Sequence, residues 1–298
     1  MNDKIEKNYR EEPKDNTSNT PVERELVLLR KKYKDYLISK SLNPMKPVYL
    51  DLSLIYPDTD SIEELTNQVD DLKRCLDSFR PLTPTQAKNL EDVFSVEYTY
   101  NSNRIEGNTM TLKETTLVLE KGVTIQGKSM KEHLEVINHK QAFEYIKDLV
   151  EQKEEFTRRV LLDIHAIILY GDRENAGRFR REPVLISGSR HTPPDYVQVP
   201  SLIDSYFEYY EQKKNTLHPV ILSADMSEKL VTIHPFTDGN GRASRLVMNL
   251  LLMRSGFPVT IISADEKYGY YDVLESVQVE EEPEAYRRYV SKKCYLDT

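Results

Sequence analysis

The chain has 298 residues, 39% of them hydrophobic and 30% charged, with a formal net charge of −8. That length and composition fit one large or two modest soluble domains with a real core, and the acidic balance argues against general nucleic-acid binding. Two cysteines, Cys75 and Cys294, make neither a disulfide framework nor a metal cluster, and no apolar run nears the about 18–20 residues of a membrane span.

The start, MNDKIEKNYR, is too polar for a signal peptide, so a reducing, cytoplasmic setting is expected. Residues 1–20 are polar without periodicity and read as a flexible arm. Val22, Leu26, Leu29, Tyr33, Tyr36 and Leu37 recur at helical spacing over 21–40, and 44–60 is an irregular proline-bearing connection. Ser61 can cap a helix through Phe79, with Glu63 and Glu64 in its first turn. Pro84 opens a helix to about Asn103 that ends in NSNRIEGNTMT, and Thr111 can cap the next one. On spacing alone, Ser102 and Glu106 belong to a solvated helix end.

Over Glu132–Val150, the residues Leu134, Ile137, Ala142, Tyr145, Ile146 and Leu149 mark an amphipathic helix. Thr157–Tyr170 is another, and 171–177 is a polar break. His133, His139 and His165 have no carboxylate or cysteine at ligand spacing and read as satisfied interior or surface histidines. Arg173, Arg178, Arg180, Arg181 and Arg190 then crowd one segment and invert the local charge. Within it, Val184-Leu185-Ile186 and Tyr196-Val197-Gln198-Val199 flank a turn holding Gly188 and two prolines, which predicts a β-hairpin. It is the one β element in a chain that otherwise reads as mainly α.

The richest stretch is His234–Arg245, HPFTDGNGRASR. Val220–Ile233 has helical apolar spacing, closed by His234-Pro235 because a residue before proline is biased out of the α region. From Ala243 a strongly apolar helix runs to Gly256. Between them, DGNG is turn chemistry feeding a helix start, where exposed N–H groups meet the positive end of the macrodipole and suit an anion. Arg242 and Arg245 are three apart, on one face of the first turn, and both can fork onto phosphate oxygens. Asp238 is either an N-cap or, as the one acid in a cationic nest, a ligand for a hard cation shared with a polyphosphate, which points to Mg²⁺. His234, across the turn, suits general-base work on a hydroxyl. Asp265–Val279 follows with Tyr268, Tyr270 and Tyr271, and Ala285–Tyr295 is a closing helix.

HPFTDGNGRASR resembles the signature of Fic-domain proteins, with every signature position filled. The resemblance implies a Fic-like helical bundle with one β-hairpin flap beside the active site. It also implies transfer of a nucleotidyl group, usually AMP from ATP, to a Ser, Thr or Tyr hydroxyl of a protein. Carried over by position, His234 deprotonates the hydroxyl and Asp238 holds Mg²⁺ on the phosphates. Gly239, Asn240, Gly241 and Arg242, with Ala243 and Ser244, bind the nucleotide, and Arg245 reaches its γ-phosphate; Phe236 is an apolar anchor. Ser102 and Glu106 with Gly107 resemble the family's inhibitory-helix motif, whose glutamate pairs with the second arginine, here Arg245.

The hairpin resembles the family's flap, which aligns an extended target segment by strand addition, with Gly188, Ser189, Arg190, His191 and Thr192 near the nucleotide. Tyr270 and Tyr271 lie where the family carries aromatic residues near the base. On this resemblance 21–125 is a helical region carrying the inhibitory motif and 126–298 is the Fic core. The implied partners are ATP and a protein hydroxyl, with no nucleic acid and no membrane; a homo-oligomer is left open. Two alternatives remain: removal of AMP at the same site, with Glu106 orienting water, and a non-catalytic nucleotide-binding helical regulator.

Overall fold

The computed structural model describes residues 59–298 except 79, 81 and 281. The arm expected at 1–20, the helix expected over 21–40 and nearly all of the connection after it lie outside the described residues, as does Phe79. Among the described residues ten α-helices occur in order: α1 Ile62–Asp77, α2 Pro84–Ile105, α3 Leu112–Lys121, α4 Met130–Glu151, α5 Arg158–Ile168, α6 Val199–Lys213, α7 Pro219–Ile233, α8 Asn240–Arg254, α9 Lys267–Gln278 and α10 Pro283–Asp297. Capping chemistry fixes several starts. Ser61 accepts from Glu64 N, and Thr111 and Ser129 each form a reciprocal capping box with the glutamate three residues on.

Helices α7 and α8 are the centre of the molecule. Leu222, Met226, Leu230, Leu246, Val247 and Leu250 join one buried cluster with Phe143 of α4, Ile164 of α5 and Ile203 of α6. Val220, Ala224, Met248 and Leu252 join a second with Val69 of α1, Leu274 of α9 and Tyr286 and Val290 of α10. Apolar on both sides, this helical pair is buried all round. The turn joining the two helices, which carries the signature, is therefore held from below by both clusters.

No strand occurs among the described residues. The expected hairpin lacks a ladder: Val184–Ile186 is irregular, Tyr196–Gln198 is a 3₁₀ turn, and Val199 already belongs to α6. Asp195 accepts from Val197 N and starts the helical course, and a proline in the first turn of α6 suits a helix entry. Val199, Ile203, Tyr206 and Tyr210 are all buried on one face. That burial outweighs the β preference of a four-residue Tyr-Val-Gln-Val run.

Candidate active site

The signature turn is built by its own side chains. His234 caps α7 in the left-handed region, φ 51 and ψ 56, and its N–H donates to Leu230 O at 3.0 Å. For a residue with a Cβ this conformation costs about 1–2 kcal/mol, and Pro235 after it disfavours the right-handed alternative. Phe236 is fully buried and stacks on His165 with ring centroids 3.6 Å apart. Asn240 closes the turn, its Oδ1 accepting from Phe236 N at 2.9 Å and its Nδ2 donating to Phe236 O at 2.8 Å. Helix α8 begins at Asn240, three residues earlier than the apolar pattern indicates, so Gly241 and Arg242 lie in its first turn. Gly239 takes φ 79, which glycine adopts without strain.

His234 Nδ1 donates to Val231 O at 3.2 Å, which leaves Nε2 with the lone pair. The ring lines a cavity of about 150 Å³ with Glu106, Ile186, Gly188, Gly241, Arg245, Tyr270 and Tyr271. Burial pushes the imidazole pKa down, while the Val231 carbonyl and Glu106 pull the other way. The base position is therefore unprotonated at neutral pH.

Asp238 does not cap α8. Its carboxylate is half exposed and accepts from Gly239 N at 2.5 Å and Arg242 Nη2 at 3.1 Å, with Lys131 Nζ 3.9 Å away. Burial opposes its charge, but Arg242, the Gly239 N–H and Lys131 outweigh it and hold the carboxyl below the usual range. Arg242 is 2% exposed, with Nε and Nη1 lacking any hydrogen-bond partner and Glu135 3.8 Å from Nη1. Arg245 is 1% exposed; Nε donates to Ser102 Oγ at 3.1 Å, and Nη2 to Ser102 O at 2.9 Å and Glu106 Oε1 at 2.7 Å. Burial works against the guanidinium charge, yet Glu106 holds its pKa above the ordinary value. Its Nη1 has no partner. Buried, unpartnered guanidinium N–H groups are costly, and they mark a seat for an anion.

Gly241 is required here for a second reason. A Cβ at 241 would overlap Glu106 Oε1 and press on Arg245 Nη1. The Glu106 carboxylate thus keeps this position against α8 because position 241 has no side chain. Tyr271 adds a further tie, donating from its hydroxyl to Ile105 O at 3.1 Å.

The segment holding the predicted flap residues is fastened to the site. Arg190 N and Nε donate to Glu275 at 2.8 and 2.7 Å and its Nη2 to Glu280 at 2.8 Å, while His191 Nε2 donates to Thr232 O at 3.0 Å. Gly188 and Ser189 line the cavity; Thr192 is not among its lining residues. Of the three tyrosines, Tyr270 is buried beside Arg245, Tyr271 is partly exposed on the cavity wall, and Tyr268 is 79% exposed.

Two residues that motif reasoning left aside support the turn. His165 accepts from Gly177 N at 3.1 Å on Nδ1 and donates through Nε2 to Asp238 O at 3.0 Å, so both ring nitrogens are satisfied. Arg180 donates from Nε to His234 O at 2.8 Å. Nothing in their local spacing marks them, because their partners are backbone atoms far along the chain.

His165 carries a consequence for stability. Burial pushes its pKa from 6.5 down to about 4, with the Asp238 carbonyl pulling upward and Arg242 adding to the fall. Between those values the unfolded chain binds the proton and the folded one does not, so stability is lost as pH falls from 6.5 toward 4. Full protonation of the unfolded histidine amounts to about 3 kcal/mol. Urea titrations across that range should show the loss, and His165→Gln should flatten it; an unchanged slope in the variant would move the cause elsewhere.

A model of the Fic/DOC family matches residues 155–252. The chain is 42% identical over 181 residues to the protein adenylyltransferase Fic of Drosophila grimshawi, covering 60% of this chain and 37% of that protein. It is 34% identical over 215 residues to the protein adenylyltransferase Fic of Nematostella vectensis, covering 71% and 50%. The chain thus spans half or less of the length of these curated relatives. Among solved structures it is similar to a Fic domain containing signaling protein of Bacteroides thetaiotaomicron, with TM-score 0.70, 30% identity, and coverage of 80% of this chain and 93% of that one. A fragment of Fic-1 from C. elegans gives TM-score 0.69 at 28% identity, covering 92% and 76%.

Proposed function

This chain belongs to the Fic/DOC family, and from that premise we propose that it is a protein adenylyltransferase, moving AMP from ATP to a Ser, Thr or Tyr hydroxyl and restrained by Glu106 on Arg245. One observation carries this reading. His234, with its Nε2 free, and Arg245 line one cavity, while N–H groups of Arg242 and Arg245 are buried without partners at the start of α8. In this scheme His234 Nε2 takes the proton of the target hydroxyl as its oxygen bonds the α-phosphorus. Pyrophosphate leaves, and the α8 amides, Arg242 and Arg245 hold the charge that develops on the phosphates. Residues 126–298 would form the catalytic core, 21–125 the restraining region, and the irregular segment around 182–194 the surface that receives an extended target strand.

The donor set at Asp238 fits Mg²⁺ of one kind only. Among the described residues no three His, Cys, Asp or Glu side chains converge, and Asp238 offers one half-exposed, depressed-pKa carboxylate beside unpartnered phosphate donors. That suits an ion shared with substrate phosphates and water. When bound, it would neutralise charge on the phosphates. Among the described residues no helix is long and apolar enough to cross a membrane. The ATP-rich cytoplasm is the compartment this reading favours.

The Glu106→Gly protein incubated with ATP labelled at the α or the γ position tests the reading. Label should stay on protein from α alone; label from γ would mean phosphate transfer instead. Asp238→Asn should cut the rate by roughly 100-fold and abolish its dependence on Mg²⁺ concentration. An unchanged Mg²⁺ dependence in that variant would take the metal away from Asp238.

The reverse reaction has an observation in its favour. Glu106 shares the cavity with His234, and only its Oε1 engages Arg245. In that direction the second oxygen would orient water toward a bound adduct. Release of AMP from labelled protein by wild type and not by Glu106→Gly would support that direction.

A further inference from the structure

Arg180 is 4% exposed, yet among the described residues it forms no ion pair. The carboxylate that acts on it, Asp195, does so from a distance, and burial pulls its pKa down. A buried guanidinium without a partner charge is unfavourable unless its donors are fully used. Here they go to three backbone carbonyls from three parts of the chain. Nε donates to His234 O at 2.8 Å, Nη1 to Glu182 O at 3.2 Å and Nη2 to Pro194 O at 2.5 Å. The backbone of the same residue donates to Pro235 O at 2.9 Å.

Glu182 and Pro194 are the two roots of the irregular segment whose tip lines the cavity. That segment has no strand ladder of its own to keep its roots together. His234, in turn, holds a left-handed backbone whose carbonyl must end on a donor. A planar fork with donors in fixed directions can meet three such carbonyls at once; the point charge of lysine, on a flexible stem, cannot.

We propose that Arg180 is a positioning residue that locks the roots of the target-facing segment to the backbone of His234, so that target and base keep a constant separation. This rests on the reading of His234 as the base. Arg180 touches neither nucleotide nor hydroxyl; it acts through the two elements that do. The tip of the segment has separate fasteners in Arg190 and His191, so loss of Arg180 frees the roots without detaching the whole.

The test compares Arg180→Met and Arg180→Lys with native Arg180 in the Glu106→Gly protein. Amide hydrogen exchange should rise together in 182–194 and 233–237 in both variants. Self-labelling at saturating ATP should fall about 10–100-fold, the penalty expected of a misplaced reacting pair, while the ATP concentration for half-maximal rate stays within about twofold. Lysine should restore neither the protection of the two segments nor the rate. Native-rate labelling by Arg180→Lys, or faster exchange in one segment alone, would overturn the proposal. A purely structural arginine would lower the melting temperature and leave the folded fraction fully active. If Arg180→Met does not fold, the lysine variant supplies both readouts. If the Glu106→Gly parent fails to label, the assigned reaction falls, while the paired exchange result still decides the lock.

Discussion

On the proposed reading, His234→Ala will cut AMP transfer steeply and leave ATP binding nearly untouched. A positioned general base contributes about 10²–10⁴-fold, so the rate should fall by at least about 10² where the hydroxyl has no other acceptor. The ring contacts neither arginine: Nδ1 is spent on Val231 O, and the phosphate donors lie across the turn on α8. Calorimetric ATP affinity should therefore move by no more than about twofold, far less than a lost charged contact would give. Alanine at φ 51 carries backbone strain, so His234→Asn, which tolerates that region, serves as the control for folding. Because burial lowers the imidazole pKa, the wild-type rate should be flat through neutral pH and decline only below the ordinary histidine range. A collapse of ATP affinity in both variants would make His234 a structural residue and remove the base from the scheme.

The second large effect is release. Glu106 contributes a 2.7 Å charged hydrogen bond to Arg245, and such bonds are worth about 1.5–3 kcal/mol. Removing it should raise the initial transfer rate about 10–150-fold. The arginine will not swing away in Glu106→Gly, because Ser102 still engages Nε and Nη2. What changes is its charge balance: a buried guanidinium loses its counter-ion. The variant should melt earlier than wild type without nucleotide and gain more from ATP·Mg²⁺, which supplies the missing negative charge. Differential scanning calorimetry with and without ATP reads this directly. Equal labelling rates for the two proteins would end the account of Glu106 as a restraint.

Sequence carried the site further than it carried the fold around it. His234, Asp238, Arg242 and Arg245 were legible because twelve consecutive residues concentrate them, and the pairing of Glu106 with Arg245 followed from the resemblance of both motifs. The helix starts at Ser61, Thr111 and Thr157 were readable because capping is local. Helix α6 was not read, although Val199, Ile203, Tyr206 and Tyr210 have helical spacing. Two prolines and a Tyr-Val-Gln-Val run speak for a strand as long as the core that buries those residues is unknown. The start of α8 was set three residues late because Asn240 and Gly241 look like turn residues until the Asn240 bridge to Phe236 is seen. Arg180 and His165 stayed hidden for a related reason. All their partners but Glu182 O are carbonyls and amides 12 to 73 residues away, and no side-chain pattern announces a backbone partner.

Position 241 is where the two motifs touch. A methyl group there would overlap the Glu106 carboxylate and press on Arg245 Nη1, so the carboxylate would have to shift. On the proposed reading, restraint can therefore be weakened from either side of this contact, by a change at Ser102 or Glu106 or by a side chain at 241.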